Sequence, residues 1–221
     1  MLPLLLLSGA GLPAWIWDDV CARLATETRV APRPGPGGSL HDYSRAAMNT
    51  AGGWDTFGVV AHSAGGVVAM GLDPERVTGV LGVSALVPRP GGSFTGALPM
   101  PQRFVMPLLL RVAGTRPPAK EIRTGLCRGV EPKIAERIVD EFEPESKGLY
   151  LDRTPREDRP SPRGYVMTTE DTQFTLDVQR GYAETLGGPT YDVGSAHLPM
   201  LERPDELAAI IGTAFEERAA R

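Results

Sequence analysis

The chain has 221 residues, 42% of them hydrophobic and 23% charged, with a formal net charge of −4. These proportions fit one globular domain with one sizeable core and exclude a disordered or collagen-like chain. The mild acidity offers no overall electrostatic footprint for nucleic acid or an anionic membrane, so neither is expected as a partner.

The apolar opening lacks a basic flank and stops at Ser8-Gly9, so Leu4–Leu7 reads as a buried parallel strand and not as a signal peptide. A helix is predicted over Ala14–Leu24. Arg29–Arg33 falls at a second strand, and Ser39–Thr50 is a helix opened by a capping serine. Strand Phe57–Ala61 runs into helix Gly65–Met70, and strand Val77–Val83 follows. After a long interruption come strands Tyr165–Met167 and Tyr191–Val193, then a closing helix over Leu201–Arg218 with Leu207, Ile210, Ile211 and Phe215 on one face. This alternation predicts an α/β fold, a mainly parallel sheet of about six strands with helices on both faces.

The interruption, residues 86–163, is Pro/Gly-rich at first and then holds two predicted helices, Ala119–Arg128 and Pro132–Phe142. An excursion of about 75 residues inside a compact α/β domain is expected to be a cap or lid insertion. Nothing reaches the ~20 apolar residues of a membrane span. Cys21 and Cys127 lie far apart, match no CxxC or zinc spacing and are expected as free thiols in preference to a disulfide. A cytoplasmic protein with a small-molecule substrate is the expectation, its oligomeric state left open.

Chemistry concentrates in Gly58-Val59-Val60-Ala61-His62-Ser63-Ala64-Gly65-Gly66. A short apolar strand enters a serine flanked by small residues and leaves as a helix. This is the G-x-S-x-G nucleophile elbow with Ala61 in place of the first glycine. The turn is strained, and bulky residues two positions either side would strike the strand and helix. It sets the serine hydroxyl at a helix N-terminus, where free N–H groups favour developing negative charge.

A nucleophilic serine needs a base. Of the three histidines, His62 adjoins Ser63 and should project away from its hydroxyl, and His41 lies in a loop-to-helix region. His197 lies after the last strand, at the carboxyl edge of the sheet, and has the chain order Ser…Asp…His. Asp171, after the strand at Tyr165–Met167, is the expected orienting acid in preference to Glu170. The region after Val80–Val83 has no acid before Pro88. The oxyanion donors should be the amides of Ala64 and of the loop Ser8-Gly9-Ala10-Gly11, with Ala10 the choice there. That loop also reads as Gly9-x-Gly11-x-x-Ala14, a dinucleotide fingerprint. Pro13 and Trp15 make an unusual pyrophosphate helix, and the second strand ends without an acid, both of which disfavour it.

With these residues in place the chain resembles the α/β-hydrolase superfamily, and within it the compact branch of plant methyl-ester esterases, hydroxynitrile lyases and bacterial relatives. The segment Leu4–Trp17 is similar to that branch's first strand, oxyanion loop and Gly-Ala-Trp-x-Trp helix start. Tyr165–Gln179 is similar to its acid-bearing strand and following helix, and Ala196–Leu207 to its histidine segment. The resemblance implies that the N-terminal hairpin of many α/β-hydrolases is absent; setting aside the excursion of about 75 residues leaves about 145 for a catalytic core. Plant hydroxynitrile lyases carry Thr where Gly9 stands and Lys where Leu198 stands, so cyanohydrin cleavage is not implied.

The expected function is a serine hydrolase acting on a carboxylic ester, thioester or lactone, through Ser63, His197 and Asp171, with no metal or organic cofactor. Gly9, Phe104 and Met106 are expected at the substrate, the last two within an apolar run that could equally serve cap packing. The alternative is a lyase, cyclase or tailoring enzyme of small-molecule biosynthesis using the same pocket.

Overall fold

The computed structural model describes residues 2–35, 37–156 and 159–216. Leu4–Leu7 is apolar at every position because its strand, β1, is covered on both faces. Leu5 and Leu7 enter one apolar cluster, while Leu4 and Leu6 enter the other, the period of two expected of a strand. β2 (Thr28–Val30), β3 (Phe57–His62), β4 (Val77–Val83), β5 (Pro162–Thr168) and β6 (Thr190–Val193) complete a six-stranded sheet of order β2-β1-β3-β4-β5-β6. Every neighbouring pair is parallel.

Parallel strands require crossovers, and helices supply them on both faces. α2 (Leu40–Thr50), α3 (Gly65–Ala69) and α9 (Leu176–Leu186) contribute to the cluster around Leu5, Val59 and Tyr165. α1 (Asp18–Cys21) and α11 (Pro204–Glu216) contribute to the cluster around Leu6, Val60 and Val166. α2 begins at Ser39 with a complete capping box, the serine hydroxyl accepting from the Asp42 amide and the Asp42 carboxylate accepting from the Ser39 amide.

Three predicted helices are broken. Ala14–Leu24 divides into a 3₁₀ turn, Ala14–Trp17, and α1. Ala119–Arg128 is one turn of α6 (Ala119–Glu121) running into a π turn, Ile122–Leu126. The closing helix divides into α10 (Pro199–Glu202) and α11, because Pro204 has no N–H with which to continue the first. The expected end at Arg218 lies outside the described residues.

Between β4 and β5 the chain forms α4 (Phe94–Ala97), α5 (Gln102–Val112), α6, α7 (Pro132–Glu141) and α8 (Lys147–Leu151). Leu98, Leu110, Leu149 and Tyr150 join the first apolar cluster, and Ile122, Ile138 and Phe142 join the second. Cys21 and Cys127 are free thiols, and no described helix is long and apolar enough to cross a membrane.

Candidate active site

β1 is flanked by β2 on one side and β3 on the other, so the direction of winding reverses between β1 and β3. The carboxyl ends of those two strands open at this switch point, where α/β sheets place their sites. Ser8-Gly9-Ala10-Gly11 follows β1, and Ser63 follows β3.

Ser63 holds φ = 50°, a left-handed conformation that a side chain rarely adopts. The neighbouring glycines show what the turn demands. A Cβ on Gly65 would sit 2.6 Å from the Leu7 carbonyl oxygen, and one on Gly66 would sit 2.5 Å from that of Leu86. Ala61, fully buried within β3, occupies the remaining small position. Gly9 abuts the turn from β1, since a Cβ there would lie 2.8 Å from His62 Nδ1 and 3.0 Å from the Ser63 Cβ.

His197 reaches this serine from the loop after β6. Its Nε2 lies 3.1 Å from Ser63 Oγ, and its Nδ1 lies 2.7 Å from Asp171 Oδ2. Histidine and aspartate are both buried, and the Phe174 ring stands edge-on to the imidazole at 5.4 Å. The loop carrying His197 is held from behind by Glu202, whose carboxylate accepts from the Ala196 amide at 3.1 Å. His62 holds it from the front. Nε2 of His62 donates to the His197 carbonyl oxygen at 2.9 Å, which fixes a neutral tautomer. Burial, with His197 as a second cause, lowers the His62 pKa from the ordinary 6.5 to about 3.

Asp171 is ordered by five donors. Oδ2 accepts from His197, from Ser84 Oγ at 2.5 Å and from Thr168 Oγ1 at 3.0 Å; Oδ1 accepts from the amides of Gln173 at 2.7 Å and Phe174 at 3.2 Å. Burial alone would raise this carboxyl. The hydrogen bond and charge of His197, with Ser84 and Phe174, outweigh burial and hold the pKa at about 2.

Two groups here escape sequence reading. Ser84, fully buried at φ = 40°, sits directly after β4, at a strand end that carries no acid. Its hydroxyl bridges the pair, lying also 3.3 Å from His197 Nδ1. The other is Glu145, in a polar stretch that reads as solvated surface. Its side chain is only 4% exposed. It accepts from the Gly11 amide at 2.8 Å and from Tyr43 Oη at 2.6 Å, and pairs with Arg33 at 2.7 Å. Gly11 (φ = 74°) is gripped further, because its carbonyl oxygen accepts from the Glu143 amide at 3.2 Å and the Phe142 ring fills the space of its missing Cβ.

A cavity of about 290 Å³ touches both this clamp and the serine turn, lined by Gly9, Leu12, Val68 and Leu149 together with Ala64, Arg33, Tyr43 and Glu145. Of the residues expected at the substrate, the structure brings only Gly9 to it. Met106 packs half-buried against the first apolar cluster, and Phe104 is 65% exposed. The cause is the rotation of α5, which turns Leu110 inward and Phe104 outward. Ala64 lines the cavity. Ala10 is half-buried beside Gly9 and does not line it. Glu170 and His41 are exposed. Among the described residues no group of His, Cys, Asp and Glu could hold a metal ion.

This sheet order, with a strained serine after one strand and a buried His–Asp pair after two others, defines an α/β-hydrolase. Residues 4–210 match the family model described as "Alpha/beta hydrolase family", and the chain belongs to that family. Among solved structures it is similar to an extracellular α/β-hydrolase from a Paenibacillus species (17% identity, TM-score 0.83, covering 97% of this chain and 99% of that one). It is also similar to polyneuridine aldehyde esterase (17%, TM-score 0.77, 96% and 98%) and to tomato methylketone synthase I (14%, TM-score 0.75, 98% and 97%). No curated protein matches the sequence.

Proposed function

We propose that the protein is a serine hydrolase cleaving a carboxylic ester, thioester or lactone of a small, largely apolar substrate through an acyl-enzyme. The observation that carries this reading is the continuous chain Ser63 Oγ–His197 Nε2 and His197 Nδ1–Asp171 Oδ2, at 3.1 and 2.7 Å. Ser63 attacks the carbonyl carbon as His197 Nε2 takes its proton. Asp171 holds the Nδ1–H tautomer and stabilises the imidazolium. The amides of Ala10 and Ala64, which donate to no other described residue, receive the oxyanion. His197 then gives its proton to the leaving group, and a water deprotonated by the same nitrogen releases the acid. The cavity lies at the small end of ligand sites and its walls are mostly apolar, which supports a compact, uncharged acyl or alcohol portion.

The test is turnover of short acyl esters, thioesters and lactones by the wild type and Ser63→Ala, with fluorophosphonate labelling. The expected result is one covalent adduct, on Ser63, and a loss of kcat of about 10⁴-fold or more in the variant. An unlabelled Ser63, or native activity retained in Ser63→Ala, would overturn the acyl-enzyme and point to proton chemistry by His197 in a non-hydrolytic reaction.

A further inference from the structure

Residues 76–120 contain six Lys or Arg and neither Asp nor Glu, in a chain whose net charge is −4. The centre of this stretch is α5. That helix turns Leu110 into the first apolar cluster and leaves its opposite side bare, with Phe104 65%, Leu108 62% and Val112 81% exposed and Val105 and Leu109 about half so. Their spacing places all five on one helical face, and Met100, just upstream, is exposed as well. A contiguous apolar face of this kind marks an interaction site.

Cations lie at its two ends. The Arg103 guanidinium reaches the Phe104 ring, 4.9 Å from its centre, from a helical position near the inward-turned Leu110, and lines a hollow that Asp177 also lines. By helical spacing Arg111 falls on the edge of the stripe, beside Phe104 and Leu108. Lys147 Nζ, 3.4 Å from the Arg111 carbonyl oxygen, adds a third charge at that end of the helix. No described carboxylate forms an ion pair with Arg103, Arg111 or Lys147.

We propose that this face of α5 docks on an anionic lipid surface. The counterpart must be apolar opposite the stripe and negative at its edges. A second copy of the chain meets only the first requirement. It would bring the same cations to the contact, and residues 76–120 carry no carboxylate to pair with them. The face is moreover a ridge along one helix, suited to lying in an interface with its apolar side chains among acyl chains and its arginines among phosphates. The whole-chain charge conceals this, because none of the acids falls within residues 76–120. The proposal does not depend on the hydrolase reading.

The experiment is cosedimentation of the full chain with phosphatidylcholine vesicles, with and without about 30 mol% phosphatidylglycerol, at low salt and at about 0.5 M salt, where charge is screened. Binding is expected only with phosphatidylglycerol, falling at least fivefold at high salt and at least tenfold in Leu108→Glu/Val112→Glu. Arg103→Gln/Arg111→Gln should weaken it severalfold. These side chains are exposed, so unchanged thermal melts will show that the variants fold. Phe104→Trp, a conservative change, should show blue-shifted emission on anionic vesicles alone. Absence of binding, binding equal on both vesicles, or binding that survives Leu108→Glu/Val112→Glu overturns the proposal. So does a concentration-dependent dimer in sedimentation that Leu108→Glu abolishes, which would make the face a protein interface.

Discussion

Oδ2 of Asp171 accepts from His197, Ser84 and Thr168 at once, so the direction in which it holds the imidazole depends on all three donors. Ser84 is the shortest contact and keeps a strained φ to make it. Removing the hydroxyl in Ser84→Ala leaves Asp171 ionised by its remaining donors but less well oriented. The expected outcome is a fall in kcat of about tenfold, about 1.4 kcal/mol, with KM nearly unchanged, read from steady-state kinetics on whichever ester proves to be turned over. Loss in KM alone would assign Ser84 to the binding of substrate. The meeting of Ser63, His197 and Asp171 was legible in the sequence because each belongs to a pattern: an elbow of small residues, a histidine after the last strand, an acid after the preceding one. Ser84 belongs to none. A lone serine after a strand carries no spacing signal, and its role exists only because the ends of β4 and β5 lie side by side.

At the scale of elements, the segment 142–145 grips the loop after β1 through Phe142, Glu143 and Glu145. The chain between β4 and β5 is thereby tied to the loop from which an oxyanion donor is proposed. Glu145→Ala would leave the Gly11 amide, the Tyr43 hydroxyl and the Arg33 guanidinium without their shared acceptor. Breaking such a buried pair costs about 3–5 kcal/mol, so a fall in melting temperature of roughly 6–20 °C is expected by calorimetry. Glu145→Gln keeps one acceptor oxygen and should recover part of this. The strands of the sheet were legible because burial on both faces leaves an apolar run that little else explains. The insertion was read least well. α4, α5 and α8 are short or proline-bearing and draw their stability from packing on the clusters beneath. The facing of α5 was therefore invisible: its side chains are apolar nearly all round, and no periodicity says which of them turn inward.

Across the whole molecule, two buried groups of the site contribute to the response to acid. His62 is held neutral, with a pKa near 3 against an ordinary 6.5, so below pH 6.5 the unfolded chain takes up a proton that the folded chain refuses. Asp171, depressed from 3.8 to about 2, stabilises the fold above pH 3.8, and that contribution is lost as pH falls towards 2. Stability should hold near neutrality, decline as pH falls from 6.5, and decline further below 4. His62→Gln, which can still donate to the His197 carbonyl, should flatten the first part of that decline in melting temperature against pH and leave the second. A variant with the wild-type slope between pH 6.5 and 4 would show that His62 is not the group responsible. The site itself is distributed in the same way. Gly9 comes from the end of β1, Ser63 from β3, Ser84 from β4, Asp171 from β5 and His197 from β6. Five of the six strand ends therefore each hold one part, and no contiguous fragment of the chain carries a working set. A chain still emerging from the ribosome therefore lacks part of the proposed site until β6 and the loop after it have joined the sheet, whereas β2, an edge strand that carries none of these parts, could leave without removing one.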